Sequence, residues 1–312
     1  MGIIGNLIIK LVKSFNNYKS FTKKYTFEDR SKSSGTLCMI LAGYKEFTWD
    51  IVFERIKKFS DNDEMDICIV SSGLYSEKLS KIAEINGWSY MSTKRNSVSL
   101  AQNMAIKLFP NAKYIYKLDE DIFVTKNFFK TLEYTYGQVQ KYSNYDVGFV
   151  APIIPINGYA HIQLLKRLNL MDDFEQKFGK VKHSAAMDKV IVNNPEAAKY
   201  MWGENDKIPH IDNLDKMLND DDFIFSICPI RFSIGAIYYS RELWEDMNYF
   251  NVSMFSIGMG VDEVQICSHC MANSKAIVIS ENTCVGHLSF GPQNEVMTQY
   301  FKENPLRFII HE

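Results

Sequence analysis

Between residues 37 and 151 the chain alternates short, continuously apolar runs with longer stretches of helical periodicity, and this alternation constrains the fold more than any other feature. Leu37-Cys38-Met39-Ile40-Leu41-Ala42 reads as a strand buried on both faces, followed by a helix over 47–59, a strand over 66–71, a helix over 75–86 and a short strand over 88–91. A helix over 97–109, closed by Pro110, precedes a strand over 114–118, a helix over 127–141 and a strand over 147–151. Strands separated by helices of about 10 to 15 residues build βαβ units. The expected fold class is therefore α/β, with a mostly parallel central sheet flanked by helices. Ligands of such sheets bind outside the carboxyl ends of the strands, so chemistry is expected just after Ala42, Ser71, Met91 and Leu118.

The alternation stops at Pro152. Residues 152–228 mix acidic and aromatic side chains without a sustained period and read as an insertion. Pattern returns with an apolar run over 232–239, helices over 241–247 and 262–272, and a strand over 276–280. The expected organisation is a basic N-terminal segment and polar linker over 1–36, one α/β domain over 37–290 that carries the insertion, and a C-terminal tail over 291–312. The net charge of −2 supplies no basic field for a nucleic-acid backbone, so no nucleic-acid partner is expected. Six cysteines sit mostly in apolar runs and read as buried, reduced thiols of a cytoplasmic protein. Cys267-Ser268-His269-Cys270 has metal-motif spacing, but no second pair follows it.

Charge is unevenly distributed. Residues 1–25 hold five lysines and no acid, a local charge of +5 against −7 for the rest of the chain. Ile3, Ile4, Leu7, Ile8, Leu11, Val12, Phe15 and Tyr18 recur at three-to-four spacing, as on an amphipathic helix. Such a helix either packs on its own domain or lies in the headgroup region of an anionic leaflet, peripheral on the inner face of the cytoplasmic membrane. No run reaches the roughly 18 apolar residues of a spanning helix. No signal-peptide cleavage site follows the apolar stretch, and Asn6 breaks the myristoylation pattern after Gly2.

The most informative segment for chemistry is Tyr114-Ile115-Tyr116-Lys117-Leu118-Asp119-Glu120-Asp121-Ile122-Phe123, an apolar strand that runs into three acids and then turns apolar again. Acids two residues apart at a strand end aim two carboxylates at one point, which suits a hard divalent cation and a diphosphate. Asp61-Asn62-Asp63 and Asp220-Asp221-Asp222 share the spacing but leave no buried strand, and read as solvated loops.

With these segments in order, the chain resembles the GT-A-fold nucleotide-sugar glycosyltransferases, especially the large inverting family of bacterial polysaccharide synthases. Lys94-Arg95-Asn96-Ser97-Val98-Ser99-Leu100-Ala101-Gln102-Asn103 is similar to that family's helix-opening motif, and Asp119-Glu120-Asp121 follows at the usual distance. Gly258-Met259-Gly260-Val261-Asp262-Glu263 resembles the glycine-rich turn and acidic pair that open the acceptor-side helix, and His287 falls where a third metal ligand is often found. The resemblance covers roughly residues 37–290. It implies Mn2+ or Mg2+ held by Asp121, Asp119 and His287, with Glu263 as general base and Asp262 as its neighbour. It implies donor contacts from Ala42, Gly43, Tyr44 and Ser71 in the first half of the sheet. Arg95, Asn96, Ser99, Gln102 and Asn103 at the helix motif, with Asp119 and Glu120 at the acidic strand end, complete that implied set. Ser71-Ser72 stands where the family commonly has an Asp pair, Ser97 replaces a Gly, and Gln102 replaces an Arg.

The implied partners are a nucleotide sugar, a UDP-sugar first of all, and a glycan or lipid-linked acceptor, with the insertion over the acceptor side. Two other classes share parts of this pattern. A sugar-1-phosphate nucleotidyltransferase would carry a glycine-rich, basic loop after its first strand, whereas Leu41-Ala42-Gly43-Tyr44-Lys45 has one Gly. A non-catalytic carbohydrate-binding protein on the same fold would have no use for both acidic groups. A nicotinamide dehydrogenase is excluded, since no G-x-G-x-x-G follows any strand.

Overall fold

The computed structural model describes residues 19–61, 63–220, 222–252 and 261–311. The amphipathic stretch over 3–18 and the Gly258-Met259-Gly260 turn lie outside the described residues, as do Asn62 and Asp221 of the other two acidic runs. The chain is α/β, with a mixed sheet of nine strands flanked by helices. In chain order the strands are β1 (Tyr25–Glu28), β2 (Thr36–Leu41), β3 (Asp66–Ser72), β4 (Ser89–Thr93), β5 (Tyr114–Asp119), β6 (Ile122–Phe123), β7 (Asp146–Ile153), β8 (Phe225–Ile227), β9 (Ala236–Ser240), β10 (Lys275–Cys284) and β11 (Gly286–His287). The helices used below are α1 (Trp49–Phe59), α2 (Glu77–Asn86), α3 (Val98–Leu108) and α4 (Phe128–Tyr142), then α5 (Ala160–Arg167), α6 (Met171–Phe178), α7 (Val190–Asn193), α8 (Pro195–Met201) and α9 (Ile211–Asn219), and last α10 (Arg241–Asp246), α11 (Val261–Ala272) and α12 (Asn294–Glu303). Every element expected between 37 and 151 is present with ends within two residues of its expected limits. Among the described residues no helix is long and apolar enough to cross a membrane.

One compact unit gathers the described residues of Met1–Tyr44, Asp61–Leu118 and Tyr239–His269. Its strands run in the order β1-β4-β3-β2-β5. β2 pairs with β3, and β3 with β4, in parallel register. Leu37, Cys38, Met39 and Ile40 on β2, and Ile67 to Val70 on β3, are buried, which is why both runs are apolar without alternation. Ser76 caps α2 by accepting from Leu79 N, and Gly87 ends that helix in the left-handed conformation (φ 69°). Ser97 caps α3 in the same way, accepting from Leu100 N. β1 forms inside the stretch read as linker and pairs antiparallel with β4, from Tyr25 opposite Thr93 to Glu28 opposite Tyr90. Its pairing uses backbone groups, so its half-exposed side chains carry no strand pattern.

The other unit comprises the described residues of Lys45–Ser60, Asp119–Tyr238 and Cys270–Glu312. Within it β7 and β10 pair in parallel, and β8 pairs antiparallel with β10. The antiparallel strands β1 and β8 make the sheet mixed rather than mostly parallel. Residues 152–228 contain five short helices, α5 to α9, which bury Ile162, Leu164, Leu165, Phe174, Ile191 and Leu214. Helices of four to nine residues are too brief to show a period in the sequence. Residues beyond 290 belong to the same core: the Phe308 ring packs against Phe301 and Trp202 at 4.6 Å and against Phe123 at 5.3 Å.

Arg55 of α1 fastens this region. It is fully buried and makes paired bonds to Asp212 at 2.8 and 2.9 Å, while its remaining hydrogens go to the carbonyls of Val124, Phe308 and Ile309. Removing one partner of a buried, fully bonded pair strands the other charge. Arg55→Met should therefore lower unfolding free energy by about 3 to 5 kcal/mol, read as a fall in the urea midpoint. A change below about 0.5 kcal/mol would mean that Arg55 is not a fastening point.

Candidate functional site

The acids that follow β5 are organised by a two-residue ribbon. β6 pairs antiparallel with β11, Ile122 opposite His287 and Phe123 opposite Gly286, and Leu288 N donates to the Asp121 carbonyl at 3.2 Å. This register carries the His287 imidazole back to the Asp121 carboxylate across 166 positions of sequence, with Nε2 3.5 Å from Oδ2. Lys45 Nζ lies 2.6 Å from the same oxygen. Asp121 is almost fully buried. Burial raises its pKa, but the neighbouring His287 and Lys45 outweigh that effect and hold the carboxyl below the ordinary carboxylate range.

Asp121 and His287 offer one carboxylate oxygen and one imidazole nitrogen, a mixed set that suits a divalent ion such as Mn2+. Adjacent ligands of a six-coordinate ion with bonds near 2.1 Å stand roughly 3 Å apart, close to the separation seen here. Among the described residues no three His, Cys, Asp or Glu side chains gather into a metal cage. Mg2+-type sites commonly use one or two protein donors and take the rest from substrate phosphates and water, so a two-donor site fits such an ion when a diphosphate completes it. Asp119 N donates to the Gly235 carbonyl at 2.9 Å, and a Cβ at position 235 would stand 3.0 Å from Ile122 Cδ1 and at ordinary contact distance, 3.6 Å, from Asp119 Oδ2. Glu120 takes a structural role, in which its Oε2 accepts from Trp49 Nε1 at 2.6 Å and its carbonyl accepts from Thr48 Oγ1 at 2.8 Å. These bonds fasten α1 to the acidic loop through Glu120, one of the expected donor contacts.

Trp202, from the stretch read as an insertion, braces the ribbon. Its Nε1 donates to the His287 carbonyl at 3.1 Å, and its ring lies over Gly286.

The first unit holds the remaining expected residues, in two groups. In one, Tyr44 Oη donates to the Ser72 carbonyl at 3.0 Å while most of its surface is exposed. Ala42 is buried and its N–H donates to Val70 O, continuing the β2-β3 ladder as far as Gly43. Ser72 Oγ accepts from Ser97 N at 2.6 Å and lies 3.3 Å from Asn96 Oδ1. Gly73 (φ 80°) permits this approach, since a Cβ there would stand 2.7 Å from Asn96 Cα. Arg95 and Asn96 are exposed at the same turn. Ser71 points the other way, buried with its Oγ 3.1 Å from Tyr90 Oη.

The second group lies where α3 meets α11. Gln102 is fully buried and its Nε2 donates to Asp262 Oδ2 at 2.7 Å. Gln102 Oε1 and Tyr239 Oη are buried without a hydrogen-bond partner among the described residues, and burial together with the Asp262 carboxylate pushes the Tyr239 phenol up. Glu263, next along α11, is half-buried, and Ser99 is buried on α3. Asn103 uses its whole hydrogen-bonding capacity inside the protein, donating to the carbonyls of Ser20 and Phe250 and accepting from Trp244 Nε1 and Phe250 N. Asn103, one of the expected donor contacts, thus clamps the segment after α10, and Gln102 is held by Asp262.

Sequence reasoning passed over Lys45, Trp202 and the Gln102–Asp262 bond. Lys45 had a signal: it is a cation in the first strand-to-helix turn of a chain whose fourth such strand ends in acids. The other two depend on contacts between distant segments. The six cysteines are free and buried, as expected, with Cys267 and Cys270 both inside α11. Compared with protein-family models the sequence matches none, and no curated protein gives a significant match.

The ribbon gives a direct test. A Cβ at position 286 would come within 2.9 Å of Trp202 Cζ2 and closer to Cη2, so the ring or the ribbon would have to shift. Gly286→Ala should cost about 1 to 3 kcal/mol of stability, and Gly286→Ala with Trp202→Phe should recover part of it. Wild-type stability for the single variant would show that the ring does not brace the ribbon.

Proposed function

We propose that the chain is a metal-dependent glycosyltransferase of GT-A architecture that moves a sugar from a nucleotide-sugar donor, a UDP-sugar first, to a hydroxyl of a glycan or lipid-linked acceptor. The observation that carries the reading is the Asp121–His287 pair, a buried carboxylate and an imidazole joined at 3.5 Å directly after a strand of an α/β sheet. A bound Mn2+ or Mg2+ would supply positive charge for the departing diphosphate. Asp121 and His287 would hold it, with Asp119 assisting.

The rest of the reaction falls to the chain's own groups. The acceptor oxygen attacks the anomeric carbon, the bond from that carbon to the phosphate oxygen breaks, and the diphosphate leaves with the bonding pair. The acceptor proton passes to a carboxylate at the start of α11. Glu263 is the better candidate, because one Asp262 oxygen is already engaged by the Gln102 amide and Asp262 is buried, whereas Glu263 is half-buried. Tyr44, with its ring exposed at the end of β2, and the turn around Arg95 and Asn96 are the proposed nucleotide contacts. Inversion at the anomeric carbon follows from a single displacement with such a base. A lipid-linked acceptor fits the basic, amphipathic residues 3–24, which would bring the protein to the inner face of an anionic membrane.

Turnover of a UDP-sugar panel with Mn2+ tests this. Asp121→Ala should lower the rate by roughly 10² to 10⁴, the loss of several kcal/mol of charge stabilisation. Glu263→Gln should keep donor binding and lose about 10² or more in transfer. Full Asp121→Ala activity, or wild-type activity in EDTA, would refute the metal reading, and normal transfer by Glu263→Gln with loss in Asp262→Asn would move the base by one residue.

A further inference from the structure

Asp121 Oδ2, the oxygen that faces His287, is already engaged by a cation of the protein itself. Lys45 Nζ lies 2.6 Å from it, and His287 Nε2 lies 3.5 Å from it. Lys45 does not reach the site as a loose surface arm. Its carbonyl accepts from Thr48 N at 2.9 Å and from Thr48 Oγ1 at 2.8 Å, so it opens a braced turn at the start of α1. That turn is fastened to the acidic loop by the bonds from Thr48 Oγ1 and Trp49 Nε1 to Glu120. The Lys45 side chain keeps 23% of its exposure and Asp121 only 4%, so the pair is largely withdrawn from solvent, the lysine less so than the carboxylate. A buried carboxylate stripped of its partner would be costly, and Lys45 supplies that partner. A divalent ion on the same oxygen would stand a few ångströms from the ammonium in a poorly screened place, where two positive charges repel strongly.

We propose that Lys45 is the resident counter-ion of Asp121 and that a divalent cation enters this site by displacing it. The proposal rests on the reading of Asp121 and His287 as cation donors. The exchange is of charge alone: the ammonium leaves Oδ2, a divalent ion takes the oxygen, and no proton or bond changes hands. Lys45 stabilises the cation-free protein, lowers cation affinity, and becomes available at the mouth of the site once the ion is in place.

The test titrates Mn2+ into the full-length chain, without and with UDP at a fixed concentration, and follows free Mn2+ by electron paramagnetic resonance. Lys45→Met removes the competing charge at similar volume and should bind Mn2+ about tenfold or more tightly than wild type, whereas Lys45→Arg should stay within about threefold. Amine labelling of the wild type, read by mass spectrometry, needs no variant: Lys45 labelling should rise several-fold on saturation with Mn2+, while Lys57 and Lys58 of α1 label as before. Equal affinity of wild type and Lys45→Met, or Lys45 labelling indifferent to bound Mn2+, overturns the competition and leaves the transferase reading standing. Mn2+ binding unaffected by Asp121→Ala and His287→Ala, or no Mn2+ binding even with UDP present, overturns the cation reading itself and this proposal with it.

Discussion

A carboxylate carried into a protein interior must be compensated, and the second unit is arranged around that requirement at Asp121. The neighbouring elements each contribute to it. The turn before α1 brings Lys45, the short ribbon of β6 and β11 brings His287, and the Trp202 ring, packed over Gly286, supports the ribbon through a bond to the His287 carbonyl. The same loop ties its other acid, Glu120, to the first turn of α1. The result is a buried charge whose partners, Lys45 and His287, come from two distant stretches of chain, so the geometry forms only when the unit folds. Paired charge at this depth adds little net stability, since desolvation offsets much of the Coulomb gain. What it gives is a carboxylate kept ionised and fixed in direction, which is what a cation-binding role asks of it.

The first unit treats its acidic pair differently. Asp262 is buried and receives one amide hydrogen from Gln102, while Glu263 is left half-buried. Two adjacent carboxylates thereby acquire different surroundings, one held in place and one more open to solvent. An acceptor hydroxyl needs a base that it can reach, and environments that separate two like groups are a usual way of dividing roles between them.

What was legible in the sequence follows from what each element needs. Strands β2 and β3 are covered on both faces, so their burial is written as continuous apolar runs, and the helices between them are long enough to show their period. β1 pairs through its backbone at an edge, and α5 to α9 are brief, so neither leaves a pattern. Within the site, Asp121 could be picked out because acids after a buried strand are costly without a purpose. His287 was found only through the resemblance, since a histidine between apolar residues has no local signature. The parts that escaped, Lys45 against Asp121 and Gln102 against Asp262, are pairings between segments 76 and 160 residues apart. No reading of neighbours along the chain reaches them. Asn103 sits in the motif that points to the donor, and its four hydrogen bonds within the protein are also pairings that no local pattern announces.

The central claim is that Asp121 and His287 form a cation site completed by a nucleoside diphosphate. Calorimetric titration of UDP into the full-length chain, with and without Mn2+, addresses it without depending on the identity of sugar or acceptor. Mn2+ should tighten UDP binding by about tenfold or more, or 1.4 kcal/mol, and His287→Ala should abolish the difference. UDP binding of the same strength with and without Mn2+, or a Mn2+ effect that survives His287→Ala, would contradict it.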